Sequence, residues 1–375
     1  MKNNNIIRTL VIIFIYSIFT YSCKNTRTDN VNITTEKLFV DTKFAELYTI
    51  KSVYSGDERI KLSSSDSSLM GMILDFKMSE NRFYILTFDG FIFSFTKEGE
   101  LIYRINRKGK GPMEYVNAMS LWPDPDDNYI KIVDRGGKSV LVLDSLGRYL
   151  SRWDMDLYAM KLIEYDGLNY VMDGGAANYS KNRLFYNQLF VFDNQFDLKA
   201  RFLSTNKIMC NIGIGDRLDI IPVEGKVRAR VLYNDTVYSI NKQNDKIQII
   251  PKYLMDFGKN AIPNKIFKNN SNITLKEFRQ ICIQKKYIYD IYRYLETKDY
   301  IFFSFKQEKK TYLYFYSKIK KKSKIVKDLL IPFEGYKYKR NIKYSDLPYI
   351  TDGKCFYFII EPSDYIKEME NIKKN

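Results

Sequence analysis

The sequence predicts an all-β protein, a six-bladed β-propeller of four-stranded antiparallel blades, and three observations predict it. The first is a recurring strand. Phe93-Ser94-Phe95-Thr96 returns as Leu141-Val142-Leu143-Asp144, Phe190-Val191-Phe192-Asp193, Tyr238-Ser239-Ile240-Asn241 and Tyr314-Phe315-Tyr316-Ser317. The copies begin at 93, 141, 190, 238 and 314, steps of 48, 49, 48 and 76, and three near-equal steps of this size match one propeller blade. The second is length: 375 residues accommodate six such units. The third is composition: 31 Tyr and 25 Phe against 9 Pro and 18 Gly favour strands over disorder.

The elements follow in order. Residues 1–22 read as an export signal. Lys2 and Arg8 form a positive start, and Leu10 to Phe19 is an apolar run too short for a membrane span. Thr20-Tyr21-Ser22-Cys23 follows. This resembles a bacterial lipoprotein signal with a loose lipobox, and the resemblance implies cleavage before Cys23 and lipidation there. Residues 23–40 are polar and read as a flexible tether. A strand over Phe44 to Val53 is expected to close the ring by completing the last blade. Blade one covers about 70–105, with turns at Ser79-Glu80-Asn81, Asp89-Gly90 and Lys97-Glu98-Gly99. Blade two covers about 117–153, and its Gly147 lies 48 residues after Gly99, which fixes the register independently.

Blade three covers about 157–203 with a long loop from Asp173 to Asn187, and blade four about 217–251 with a turn at Tyr233-Asn234-Asp235. The extra length before the fifth copy falls in 252–285. There Thr274-Leu275-Lys276-Glu277 is a capping box ahead of Phe278, Ile281 and Cys282, which predicts a short helix. As an insertion, it is expected to be removable without loss of the ring. Blade five resumes near Tyr287 as a strand. Its outer hairpin carries the basic run Lys318 to Lys327, read as charge that protects an open edge. Blade six holds Lys343 to Ile350 and Cys355 to Ile360, and the charged tail begins near Asp364 and runs to the end of the chain.

Several function classes are excluded or disfavoured. With no histidine in the chain, Ser-His-Asp and Cys-His catalysis and His-based metal sites are unavailable. Cys210, Cys282 and Cys355 are far apart and form no C-x-x-C pair, so they read as buried free thiols rather than a disulfide framework or zinc site. No Asp-rich calcium loop is present, and no cofactor is expected. The formal charge of +16 suits an acidic glycan or anionic lipid. Export argues against nucleic acid, and a biased residue composition explains the charge equally well.

Between blades one and two the chain reads Gly109-Lys110-Gly111-Pro112-Met113-Glu114-Tyr115. With the lipoprotein-like start and the recurring strand, this resembles the six-bladed β-propeller lipoproteins of Bacteroides-like bacteria, which carry a G-[KR]-G-P-G-E-Y loop here. Met113 replaces the third glycine. The resemblance spans about 40–365; it implies a fold and an envelope location, lipid-anchored and at the outer membrane, but no activity.

Propeller strands alternate in direction. Links between blades therefore share a face with the turns between second and third strands. That face gathers the 106–116 loop, the Arg135-Gly136-Gly137 turn, the 173–187 loop, the 204–216 link and the 252–285 insertion. Long loops on one face of a rigid scaffold are where binding concentrates. Arg107, Lys110, Glu114, Tyr115, Arg135, Asn178 and Tyr179 are the candidate ligand-binding residues. For Glu114 and Tyr115 a loop-shaping role is the stronger reading, and Trp122 and Trp153 read as core. Three functions remain open. The first is a non-catalytic, membrane-anchored protein whose loop face binds a glycan, peptide or protein partner. The second is a His-independent glycan hydrolase or lyase using carboxylates or Tyr, Arg and Lys. The third is an accessory subunit of an envelope complex.

Overall fold

The computed structural model describes residues 35–49, 60–63, 69–173, 187–204, 218–231, 233–243, 246–269, 273–333, 336–342 and 347–359. Cys23, Asn178, Tyr179, Cys210, most of the 173–187 and 204–216 links and the tail from Asp364 lie outside them. The chain divides into two units, Met1–Thr34 and Thr35–Asn375, and the second holds every described strand.

Strands β1 (Glu36–Phe39) and β2 (Ala45–Thr49) precede the blades. Blade one is β3 (Ile73–Met78), β4 (Arg82–Thr87), β5 (Phe91–Thr96) and β6 (Leu101–Asn106). Blade two is β7 (Ala118–Pro123), β8 (Tyr129–Asp134), β9 (Ser139–Asp144) and β10 (Tyr149–Asp154). Blade three is β11 (Ala159–Tyr165), β12 (Leu168–Asp173), β13 (Asn187–Phe192) and β14 (Leu198–Ser204). Blade four is β15 (Asp219–Val223), β16 (Lys226–Arg230), β17 (Thr236–Gln243) and β18 (Lys246–Asp256). Helices α1 (Ile266–Asn269) and α2 (Leu275–Gln284) follow. Blade five is β19 (Tyr289–Glu296), β20 (Tyr300–Gln307), β21 (Lys310–Ser317) and β22 (Lys322–Phe333). Strand β23 (Tyr336–Asn341) pairs with the far half of β22, and β24 (Ile350–Thr351) with β25 (Phe356–Tyr357). Each blade is an antiparallel meander of consecutive strands. The protein is thus a mostly β propeller with five four-stranded blades among the described residues and one helix longer than a single turn.

The recurring strand is the third of each blade, and its closing polar residue has a local cause. In the first three blades it caps the next turn. Thr96 Oγ1 accepts from the backbone N–H groups of Glu98 and Glu100, Asp144 Oδ1 from Leu146 and Arg148, and Asp193 Oδ1 from Gln195 and Asp197. Gly99 and Gly147 then take φ values of 96° and 78°, a left-handed conformation that glycine adopts without steric cost.

Apolar side chains of each blade bury against the next. One cluster joins Tyr84, Leu86 and Ile92 of blade one to Leu121, Ile132 and Leu141 of blade two. Others join blades two and three, three and four, and four and five. The β24–β25 ladder lies between blades five and one, with Phe356 5.9 Å from Phe302 and Tyr357 6.5 Å from Phe83, ring centre to ring centre. Polar groups key the same seams. Leu121 N–H donates to Asp75 at 2.9 Å, and Lys131 donates to Glu164 and Asn169, both at 2.7 Å. Arg228 pairs with the fully buried Glu296 at 3.0 Å, and Lys318 reaches the same carboxylate at 2.7 Å.

Four expectations are corrected. The N-terminal strand does not complete the last blade. β1 runs parallel to β18, with Glu36 opposite Tyr253, and β2 runs parallel to β22, with Ala45 opposite Ile325. Strands β18 and β22 span 11 and 12 residues, and their outward backbone groups need partners. Leu38, Val40 and Ala45 also fill the seam between blades four and five. Glu36–Phe39, within the segment read as a tether, is strand, and the rest of that segment up to Thr34 lies outside the described residues. The basic hairpin guards an open edge only in part: β2 covers β22 over Ile325–Leu330, and Lys322–Lys324 have no described partner strand on that side. Cys282 is buried as expected, but Cys355 is exposed, since it follows the Asp352 turn rather than a core strand.

Candidate binding face

The 106–117 link is held from three sides. The phenol of Tyr115, fully buried, donates to Gly90 O at 2.6 Å and accepts from Arg107 N–H at 3.0 Å. Burial raises this phenol above its ordinary pKa, while the Arg107 backbone bond and charge oppose the rise. The backbones of Gly109 and Tyr115 exchange further bonds with the loop: Gly109 N–H to Tyr115 O at 3.0 Å, Tyr115 N–H to Arg107 O at 2.9 Å. Glu114 accepts from Gly111 N–H at 2.8 Å. A Cβ on Gly109 would collide with that carboxylate, which is why glycine stands there. Across the seam, fully buried Asp134 accepts from Asn117 N–H at 2.8 Å, Val116 N–H at 3.1 Å and Gly137 N–H at 3.0 Å. Arg152 donates to Glu114 O at 3.1 Å. The Asp89-Gly90 turn, the link and the 135–137 turn therefore form one continuous surface.

The candidate residues divide on this geometry. Tyr115 has no exposed surface and both hydrogen-bonding roles of its hydroxyl are taken, so it staples the loop instead of meeting a ligand. Glu114 pins the loop through the backbone of Gly111, not through the neighbouring cations. Arg107 donates to Gly147 O at 3.2 Å and ties the loop to blade two. Lys110 is exposed and Arg135 half-buried, and neither side chain has a hydrogen bond or ion pair among the described residues. These two cations, with exposed Lys108, are what the surface offers. Met113 is half exposed and its φ is not positive, so the position does not require the family's glycine. Asp134 was missed by sequence reasoning. The signal was an aspartate ending β8 just before Arg135-Gly136-Gly137.

A second feature lies where blades four and five meet the helical insertion. Arg230, Tyr233, Asp235, Ile262 and Ile288–Ile291 line a crevice of about 20 Å³, room for about one water. Buried Arg230 donates to Asp219 at 2.7 Å and to Ile291 O at 3.0 Å. Arg279 of α2 pairs with buried Asp290 at 2.9 Å. Burial pushes the Asp235 carboxyl up to about 6; nearby Arg230 opposes the shift and Asp256 adds to it. The Cys282 thiol is pushed up to about 12 by burial and by the charge of Asp290. No cluster of three metal-ligating side chains occurs among the described residues.

The fold is that of a β-propeller. The chain belongs to the family described as a domain of unknown function, DUF4934, whose model matches residues 36–375, from the first residue of β1. A search of curated proteins finds no match. Among solved structures the chain is similar to a "Putative exported protein" of Bacteroides fragilis NCTC 9343. That similarity has 22% identity and a TM-score of 0.62 over 78% of this chain and 79% of that one. It is also similar to a member of the DUF4221 family from Bacteroides vulgatus, with 10% identity and a TM-score of 0.49 over 80% and 91%.

Proposed function

We propose that this is a non-catalytic envelope lipoprotein, anchored at the outer membrane through Cys23, whose loop face binds an acidic glycan, a peptide or an envelope protein. The observation that carries the reading is the pairing of a rigid loop with unengaged cations. The Tyr115 staple and the Asp134 cradle hold the backbone. Lys110 and Arg135 remain for a carboxylate or sulfate, which a guanidinium contacts in bidentate fashion. Asn178 and Tyr179 join the candidate set through their position in blade three's link. The crevice by Asp235 is too small for a sugar ring, which weighs against a hydrolase or lyase at that point.

Six blades are part of the same proposal, with the β24–β25 ladder as the described portion of the sixth. Its support is the aromatic contact to both neighbours, together with Arg293 stacked 3.8 Å over Tyr349. Export is supported by residues 1–22 and by the description of the Bacteroides fragilis protein.

The test is a binding screen against envelope glycans and extracts. Lys110→Ala with Arg135→Ala is expected to weaken binding tenfold or more, because each charge-assisted contact contributes roughly 1.5–3 kcal/mol. Unchanged affinity would move the site off this face, and turnover of a screened glycan would favour the enzyme. Cys23→Ala is expected to shift the protein from the membrane to the soluble fraction; unaltered fractionation refutes the anchor.

A further inference from the structure

We propose that the outer rim of blades four and five seats against a membrane surface by docking on anionic lipid headgroups. The proposal deepens the anchored-lipoprotein reading and rests on it for the nearness of a bilayer.

Large apolar side chains stand out on this rim. Phe39, Phe44 and Ile319 are 66%, 74% and 73% exposed, although the first two flank residues that are buried in the core. Beside them Lys320, Lys321, Lys322, Lys324 and Lys327 are exposed. Lys318 alone turns inward, to Glu296. Two contacts tie the lysines to the N-terminal strands. Lys321 pairs with Glu36 of β1 at 3.0 Å, and the Lys324 ammonium lies 5.4 Å from the ring centre of Tyr48 on β2.

No acidic residue occurs between Lys318 and Lys327. The acids of the adjoining strands are engaged locally: Glu36 with Tyr316 and Lys321, Asp41 with Lys43 N–H, and Glu46 with the Tyr48 hydroxyl.

The chemistry fits an interface of phosphate and acyl chain. Isolated apolar tips enter the headgroup boundary, and lysines near it are drawn to the negative surface potential of anionic lipid. The placement fits too. Cys23 lies thirteen residues before Glu36, a covalent span of at most about 45 Å, and the chain enters the propeller at this rim. A second copy is a poor occupant, since two such surfaces bring like charges together.

The test uses Thr35–Asn375, which contains the whole described core and lacks the lipid-bearing cysteine. Vesicles of phosphatidylcholine with phosphatidylglycerol are compared with pure phosphatidylcholine by co-sedimentation. The expected result is binding to the anionic vesicles that falls about tenfold or more between about 50 and 500 mM salt. Lys320→Gln/Lys322→Gln/Lys324→Gln and, separately, Phe44→Ser/Ile319→Ser are each expected to cut partitioning about tenfold, with melting unchanged. Equal or absent binding to both vesicles overturns the proposal. So does a dimer in gel filtration that Phe44→Ser/Ile319→Ser dissolves. Because no acyl chain is present, this outcome is read independently of the Cys23→Ala fractionation.

Discussion

At the residue scale, Tyr115 shows how one hydroxyl organises a loop. Tyr115→Phe keeps the buried ring but leaves Gly90 O and Arg107 N–H without their partner. We expect a loss of about 1–3 kcal/mol in urea unfolding, with ligand binding reduced only as far as the loop loosens. Asp235 offers a pH test. Its folded pKa is raised above the unfolded value, so the folded state binds more protons between about 4 and 6. Stability therefore declines as pH rises through that window. Asp235→Asn is expected to remove the slope and to stabilise the protein at pH 7 by about 1–3 kcal/mol, measured by urea titration across pH. The motif Gly109 to Tyr115 was legible as a shaped loop from its glycines, proline and tyrosine. Which of its side chains remain available was not legible, because that depends on Gly90, Gly147 and Asp134, which are distant in sequence.

At the scale of the element, the helical insertion is the clearest case. Thr274 and Glu277 form both halves of a capping box, with Glu277 Oε2 accepting from Thr274 N–H at 2.9 Å and Thr274 Oγ1 from Glu277 N–H at 3.3 Å. Thr274→Ala is expected to cost about 1 kcal/mol by thermal or urea melting. That helix was readable because a cap is a local pattern. Its dependence on the ring was not. Phe278 packs on Tyr233, 4.9 Å between ring centres, and Arg279 neutralises buried Asp290 in β19. Deleting 262–285 is therefore expected to destabilise blade five, contrary to the view of a dispensable insertion. Adding Asp290→Asn to the deletion should recover part of the loss, because it removes a buried charge that has lost its Arg279 partner.

At the scale of the molecule, the ring is held by apolar seams with polar keys set into them. Glu296 is the most demanding key. Burial works to raise its pKa, but Arg228 and Lys318 outweigh burial and hold the carboxyl below its ordinary value. The stability this pair contributes is present at neutral pH and is lost as pH falls through the folded pKa. Arg228→Met leaves the fully buried carboxylate with one cation fewer. The expected loss is about 3–5 kcal/mol, seen as a lower urea midpoint.

The sequence by itself determined the five described blades, their order, the repeat register and the helix. Each is a local or periodic pattern: alternation within a strand, a polar cap after the third strand, glycines 48 residues apart at Gly99 and Gly147, a capping box. Only the tertiary structure decided where the N-terminal strands go, which cations on the loop face are already engaged, and which lysines of the basic hairpin remain outward. These are contacts between residues far apart in the chain. They follow from which backbone edges and buried charges lack partners once the blades have packed, and no pattern within one segment encodes that.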